Sequence, residues 1–258
     1  MDLGIKNKNA LITGGSRGLG LASAISLAKE GVNIIICARS KDDLIKAKKL
    51  IEFFDVKILC FETDLSDEKS IENIYKVSND SLGNIDILVN NVGGSLGTKS
   101  LAITSINDFQ KVMDINTWVA VNLTKLFLSG MVSKQWGRII NIASIYGREL
   151  GGSAPYMAAK SALIAITKHT AIDLAKTGVT ANCIAPGSII HNKGSWEKFV
   201  ENNSKQTVND FIKSNLPMGK FGYPEAVGDT VAFLASENAS MILGTCLNVD
   251  GGQSNSLI

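Results

Sequence analysis

The seventeen residues SIYGRELGGSAPYMAAK (Ser144–Lys160) hold a serine, two tyrosines and a lysine. A phenol near its ordinary pKa of about 10 is a poor base at neutral pH, but a neighbouring ammonium favours the phenolate. Such a tyrosine can pass a proton to or from an alcohol or carbonyl oxygen. A serine hydroxyl beside it can hydrogen-bond the same oxygen and hold it in place. Pro155 suits the first turn of a helix running on to Lys176. In that helix Tyr156 and Lys160 are i and i+4 and share a face. The fourth residue after Tyr146 is Leu150, so Tyr146 has no local lysine. Spacing therefore selects Tyr156 as the acid/base and Lys160 as the group that tunes it. Ser144 holds the reacting oxygen, and Tyr146 is left to line or pack the pocket.

A second set of residues could hold a dinucleotide. The run TGGSRGLG (Thr13–Gly20) follows a strand-like segment and opens a helix-like one. Gly14, Gly18 and Gly20 lack side chains, which lets the backbone approach a diphosphate. The helix start supplies oriented N–H groups, with Ser16 and Leu19 in the same turn. The second strand ends ICARS, with Arg39 where an acid would meet a free ribose 2′-hydroxyl. Arg17 lies inside the glycine turn. Two guanidinium groups suit a 2′-phosphate, so the expected cofactor is NADP(H) rather than NAD(H). Asp64, followed by Leu65, could accept from an adenine amino group, or Asp64 could cap the helix that begins near Asp67. Asn91 and Gly93, in NNVGG, fall at a strand end where they could touch the adenosine ribose.

The elements that must position these residues read as alternating strands and helices. Strand-like runs are Ala10–Thr13, Asn33–Ala38, Lys57–Glu62, Ile85–Asn90, Arg138–Ala143, Thr180–Ala185 and Cys246–Val249, rich in Ile, Val and Leu. Little polar alternation suits strands buried on both faces. Helix-like segments are Leu19–Lys29, Lys41–Phe53, Asp67–Leu82, Ile106–Val132, Pro155–Lys176 and Pro224–Leu234. The order predicts one α/β domain over residues 1–258: a Rossmann-type, doubly wound parallel sheet of about seven strands with helices on both faces. About sixty residues separate the last two strands, more than a crossover needs. The insertion, about 188–220, carries Trp196, Phe199 and Val200 on one helical face and Val208, Phe211 and Ile212 on another. It is expected to cover the pocket as a lid, or else to add packing.

Composition narrows the classes. Hydrophobic residues make up 45% and charged residues 19% of 258, as in a soluble globular domain. A net charge of +2 gives no argument for nucleic acid. No run of 18 apolar residues exists and no signal-peptide core is seen. Cys37, Cys60, Cys183 and Cys246 form no CxxC pair and read as buried free thiols of a cytoplasmic protein. With two histidines, His169 and His191, no metal set has ligand spacing.

The chain resembles the short-chain dehydrogenase/reductase family over essentially its whole length, loosely towards 3-oxoacyl-(acyl-carrier-protein) reductases. The resemblance rests on TGGSRGLG, NNVGG, the Ser144–Tyr156–Lys160 set, the APG turn at Ala185–Gly187, and VDGG at Val249–Gly252. It implies that Asn116 completes a catalytic tetrad by holding a water linked to Lys160, and that Lys160 also binds the nicotinamide ribose. It implies cofactor contacts at Pro186, Gly187 and Ile189, and a tetramer or dimer through the two long helices. The implied activity is NADP(H)-dependent interconversion of a small-molecule ketone and a secondary alcohol, an EC 1.1.1 type reaction. Polyol, sugar and hydroxysteroid dehydrogenases, and a non-catalytic NADP-binding sensor or scaffold, are the alternatives. Three positions depart from the family pattern. Val92 replaces an alanine; Ser144 and Tyr156 are twelve apart where thirteen is frequent; His191 stands where a threonine contacts the nicotinamide carboxamide. Ser188 or backbone groups could replace that threonine, and His191 could instead reach substrate or solvent. Arg148 could meet an acidic substrate or pair with an acid such as Glu149.

Overall fold

The computed structural model describes residues 2–257. Seven parallel strands form one sheet: β1 (Asn9–Thr13), β2 (Asn33–Ala38), β3 (Ile58–Glu62), β4 (Ile87–Asn90), β5 (Gly137–Ile142), β6 (Val179–Pro186) and β7 (Cys246–Val249). Their order is β3-β2-β1-β4-β5-β6-β7. β1 therefore pairs on one side with β2 and on the other with β4. The winding reverses there, which opens a crevice at the carboxyl ends of the strands.

Period-two alternation sends neighbouring strand residues to opposite faces. Ile12, Ile34, Ile36 and Ile140 pack in one core with Leu27 of α1 (Gly18–Lys29), Leu44 of α2 (Lys41–Ile51) and Val231 of α9 (Pro224–Ala235). Leu11, Ile35, Leu88 and Ile139 point the other way. They meet Ile71 and Ile74 of α3 (Glu68–Leu82) and Leu123, Phe127 and Met131 of α5 (Val119–Ser133). Each such side chain contributes about 1.5–3 kcal/mol on burial, so the sheet is held from both sides. Just before β5, the Lys8 ammonium and the Arg138 guanidinium both lie over the Trp136 ring, 3.9 and 4.3 Å from its centroid.

Three segments differ from the sequence pattern. The expected helix over 106–132 is divided: α4 (Ile106–Met113) passes through a π-helical turn, Asp114–Trp118, before α5 begins. Apolar periodicity does not register one extra residue in a turn. α6 (Ala154–Asp173) stops short of Lys176 because the chain turns through Thr177 and Gly178 into β6. In the insertion, α7 (Ser195–Glu201) and α8 (Lys205–Asn215) exist but contribute no buried residue. The two apolar faces converge instead: Trp196, Phe199 and Phe211 form one aromatic cluster with Phe221, and Val200 is exposed. All four cysteines are free; Cys37 and Cys183 are buried, whereas Cys60 and Cys246 are half-buried. No helix among the described residues is long and apolar enough to cross a membrane.

Candidate active site

The crevice is a cleft of about 1580 Å³. Its floor is formed by the turns that follow β1, β2, β3, β4, β5 and β6. Of the residues expected from sequence, Gly14, Ser16, Arg17, Leu19, Arg39, Asp64, Leu65, Asn91, Gly93, Ser144, Tyr156, Lys160, Pro186, Gly187 and Ile189 line it. Gly18, Gly20 and Asn116 do not; they shape it from behind.

The glycine turn is built for close approach. A Cβ on Gly20 would lie 2.4 Å from the Gly14 carbonyl oxygen and 2.6 Å from Asn91 Nδ2. The Asn91 amide donates to the Thr13 carbonyl at 2.8 Å. Thr13 Oγ1 accepts from the Asn91 and Val92 amides at 2.9 and 3.0 Å. Asn91 thus lines the cleft while its side chain ties β4 to the β1–α1 turn. Thr13, which no sequence motif marks as functional, is the other half of that tie. His191 rests on Gly18: a Cβ there would meet the imidazole Cε1 and Nδ1 at 2.8 Å. Its Nδ1 lies 3.1 Å from the Asn192 carbonyl oxygen. This places His191 over the start of α1.

Beside the glycine turn stand the charged groups expected at a ribose phosphate. Arg17 is the N-cap residue of α1, and Arg39 follows β2. The Asp64 carboxylate is held below its usual range, first by the Ser66 backbone N–H and more weakly by the Ser66 hydroxyl and the Arg39 charge. Asp67, not Asp64, caps α3, accepting from the Lys69 amide at 3.4 Å.

At the other end of the cleft, β5 delivers Ser144 to its rim, where the Ser144 hydroxyl accepts from the Tyr146 amide at 3.2 Å. α6 brings Tyr156 to the same rim, where the Ser144 hydroxyl is near enough to pull the phenol's pKa down. The twelve-residue spacing leaves the pair in register because the connecting loop is compact. Gly151 (φ +157) and Gly152 (φ +73) fold over the Tyr146 ring. A Cβ on Gly151 would sit 2.2 Å from that ring. Tyr146 is therefore the post around which the short loop turns.

Lys160 is buried and donates to the Ile142 carbonyl at 2.7 Å. Burial pulls its pKa down to about 8, against the attraction of the nearby Cys183. Burial also pushes the Tyr156 phenol above its ordinary value; the Ser144 hydrogen bond opposes this and Tyr146 adds to it. The Lys160 ammonium stands 5.7 Å from the Tyr156 ring centroid while it donates to Ile142. Asn116, in the π-helical turn, accepts from the Gly94 amide at 2.9 Å and donates to the Gly94 and Val112 carbonyls, both at 2.8 Å. The turn swings its amide under Gly93, whose missing Cβ leaves room for Asn116 and Lys160. Arg148 does not line the cleft; it donates to the Cys246 carbonyl at 3.0 Å and bonds Asn248 Oδ1. No group of three metal-ligating side chains occurs among the described residues.

The arrangement can grip a dinucleotide at one end and move a proton on an oxygen at the other. Known proteins with this build agree. The chain is 34% identical to D-beta-hydroxybutyrate dehydrogenase of Cupriavidus necator, covering 96% of this chain and 98% of that one. It is 34% identical to the 3-oxoacyl-(acyl-carrier-protein) reductase FabG of Vibrio cholerae, covering 97% and 98%. The structure of L-sorbose reductase from Gluconobacter frateurii, complexed with NADPH and L-sorbose, superimposes with a TM-score of 0.92 at 31% identity over the whole of both chains. An actinorhodin polyketide ketoreductase with NADPH gives 0.89 at 30% identity, covering 96% and 98%. Residues 14–254 match the family model described as enoyl-(acyl carrier protein) reductase. With the glycine turn, the reversed sheet and the Ser–Tyr–Lys geometry in one chain, this protein belongs to the short-chain dehydrogenase/reductase family.

Proposed function

We propose that the protein is an NADP(H)-dependent oxidoreductase that interconverts a ketone and a secondary alcohol. The observation that carries this is the Ser144–Tyr156 hydroxyl pair at the cleft rim, with Lys160 one helical turn behind it. Two hydroxyls at one rim suit an oxygen that gains or loses a proton. The glycine turn, Arg17 and Arg39 suit a dinucleotide with a 2′-phosphate, because the turn excludes side chains and the two guanidinium groups flank the ribose end. A bound nicotinamide supplies the hydride for reduction and accepts it for oxidation. Tyr156 delivers the proton to the carbonyl oxygen. Ser144 holds that oxygen and Lys160 carries positive charge beneath it. Asn116 fixes Gly94 and the floor under Lys160, as a proton relay requires.

The substrate side favours a ketone with polar neighbours. Ser95, Thr98, Ser153 and Tyr146 line the cleft, and Thr98 Oγ1 lies 2.8 Å from Ser153 Oγ. A 3-oxoacyl thioester and a keto sugar both fit this rim, and relatives acting on each kind are known. Trp196 also lines the cleft, so the 188–220 insertion acts as its lid. A cavity of about 160 Å³ between α5 and α6, lined by Val121, Leu128 and Ile166, suits a second copy packing there as a dimer or tetramer. Four free thiols suit a reducing, cytoplasmic setting.

The test is purified protein with NADPH or NADH against a panel holding a 3-oxoacyl thioester, a ketose and a steroid ketone. NADPH consumption by one class is the expected result. Tight NADPH binding with no turnover across the panel would favour a sensor or scaffold.

A further inference from the structure

Lys193 stands in the left-handed backbone region, φ +58, although it has a side chain. Such a conformation is strained for a residue with a side chain and persists where surrounding contacts hold it. Three contacts from three elements do so. Its amide donates to Glu197 Oε2 of α7 at 2.6 Å. Its carbonyl accepts from Arg17 Nη1, at the start of α1, at 3.4 Å. Its ammonium lies 2.8 and 3.1 Å from the two carboxylate oxygens of Asp43 on α2. The Asp43 side chain is 14% exposed and that of Lys193 is 53% exposed. Asp43 lines the cleft with Arg17 and Arg39. A carboxylate thus sits among the cations that suit a 2′-phosphate, and Lys193 is the group that occupies it. Of the other acids nearby, Glu197 is engaged by the Lys193 amide and Asp64 by Ser66.

We propose that Lys193 is a specificity-determining residue for the cofactor: by pairing with Asp43 it leaves Arg17 available to a ribose 2′-phosphate and shields that phosphate from the carboxylate. The inference rests on the reading that the cleft holds NADP(H). Without the ammonium, Asp43 faces the phosphate as a bare like charge, and its next cation is Arg17. A dinucleotide with a free 2′-hydroxyl has no charge at that point and is indifferent to the change. A simple strap across the cleft would instead serve both dinucleotides equally.

Fluorescence titration of NADPH and NADH into the full-length protein separates these, without any turnover. Lys193→Met is expected to weaken NADPH about tenfold and NADH less than about twofold, the scale of one unpaired charge a few ångströms from a phosphate. Asp43→Asn added to Lys193→Met should restore most of the NADPH affinity, and Lys193→Arg should retain it. Equal losses for both dinucleotides, unchanged affinities, or a double variant as weak as Lys193→Met would overturn the assignment. A wild-type protein that binds neither dinucleotide removes the cofactor reading itself, and that result is visible before any variant is made.

Discussion

The two ends of the cleft are fitted by different means. At the glycine turn the fit is made by backbone. Gly20 has no room for a methyl group, and Asn91 and Thr13 lock the turn to β4. At the insertion the fit is made by side chains. α7 and α8 bury nothing fully, and Trp196 meets Phe199 edge-on and Phe211 and Phe221 at a tilt, at centroid distances of 5.7, 4.9 and 5.4 Å. A site made from backbone tolerates almost no change and suits one ligand. A site made from a thin aromatic layer can be altered at little cost to the fold, as regions with few buried contacts generally can. One scaffold can in this way keep a cofactor while changing substrates.

The largest expected effect concerns the proton-transfer group, which stands across the cleft from the glycine turn. Tyr156→Phe should lower kcat/KM for ketone reduction about 1000-fold, while Tyr146→Phe stays within about threefold. NADPH affinity, read by titration, should hold in both. Equal losses would move the acid/base to Tyr146. The next concerns the fold. Gly20→Ala should cost about 2–3 kcal/mol by overpacking against Gly14, while Val200→Ala on α7 should stay within about 0.5 kcal/mol. Chemical denaturation reads both, and similar values would erase the contrast between the two ends. Third, Trp196→Ala should raise KM for the ketone about tenfold, or ~1.4 kcal/mol, with NADPH affinity unchanged. A loss confined to NADPH would place the insertion over the cofactor instead.

The smallest effect comes from Lys160, whose pKa is about 8. Its charge is present below that value and lost above it, so kcat/KM for reduction should fall about fourfold from pH 7 to 8.5. Stability should move the opposite way. Between about pH 8 and the ordinary lysine value of 10.5 the unfolded chain binds more protons at this site. A Lys160→Met variant should therefore melt above wild type at neutral pH, with the gap closing as pH rises through that window. A constant gap would show that Lys160 is not held against its charge.

What could be read in the sequence follows the same division. The strands and most helix ends were legible because Ile, Val and Leu runs and Pro155 act locally. Tyr156 and Lys160 were legible because helical spacing alone sets their face. The π-helical turn at Asn116 was not, since it shifts the register without changing the apolar pattern. Nor was the Lys193–Asp43 pair, whose members are 150 residues apart. The phenol's raised pKa depends on how deeply α6 buries Tyr156, and composition carries no such information. Tyr146 gave a partial signal: two glycines five and six residues after it, which only the folded loop explains.

The three tryptophans are unequally placed. Trp136 carries two cations over its ring just before β5, Trp118 is 47% exposed where the π-helical turn meets α5, and Trp196 alone of the three lines the cleft. Indole emission overlaps the absorption of a reduced nicotinamide. Resonance energy transfer from Trp196 to a dinucleotide bound in the cleft would therefore make this segment a built-in optical ruler, read in the wild-type chain without a label.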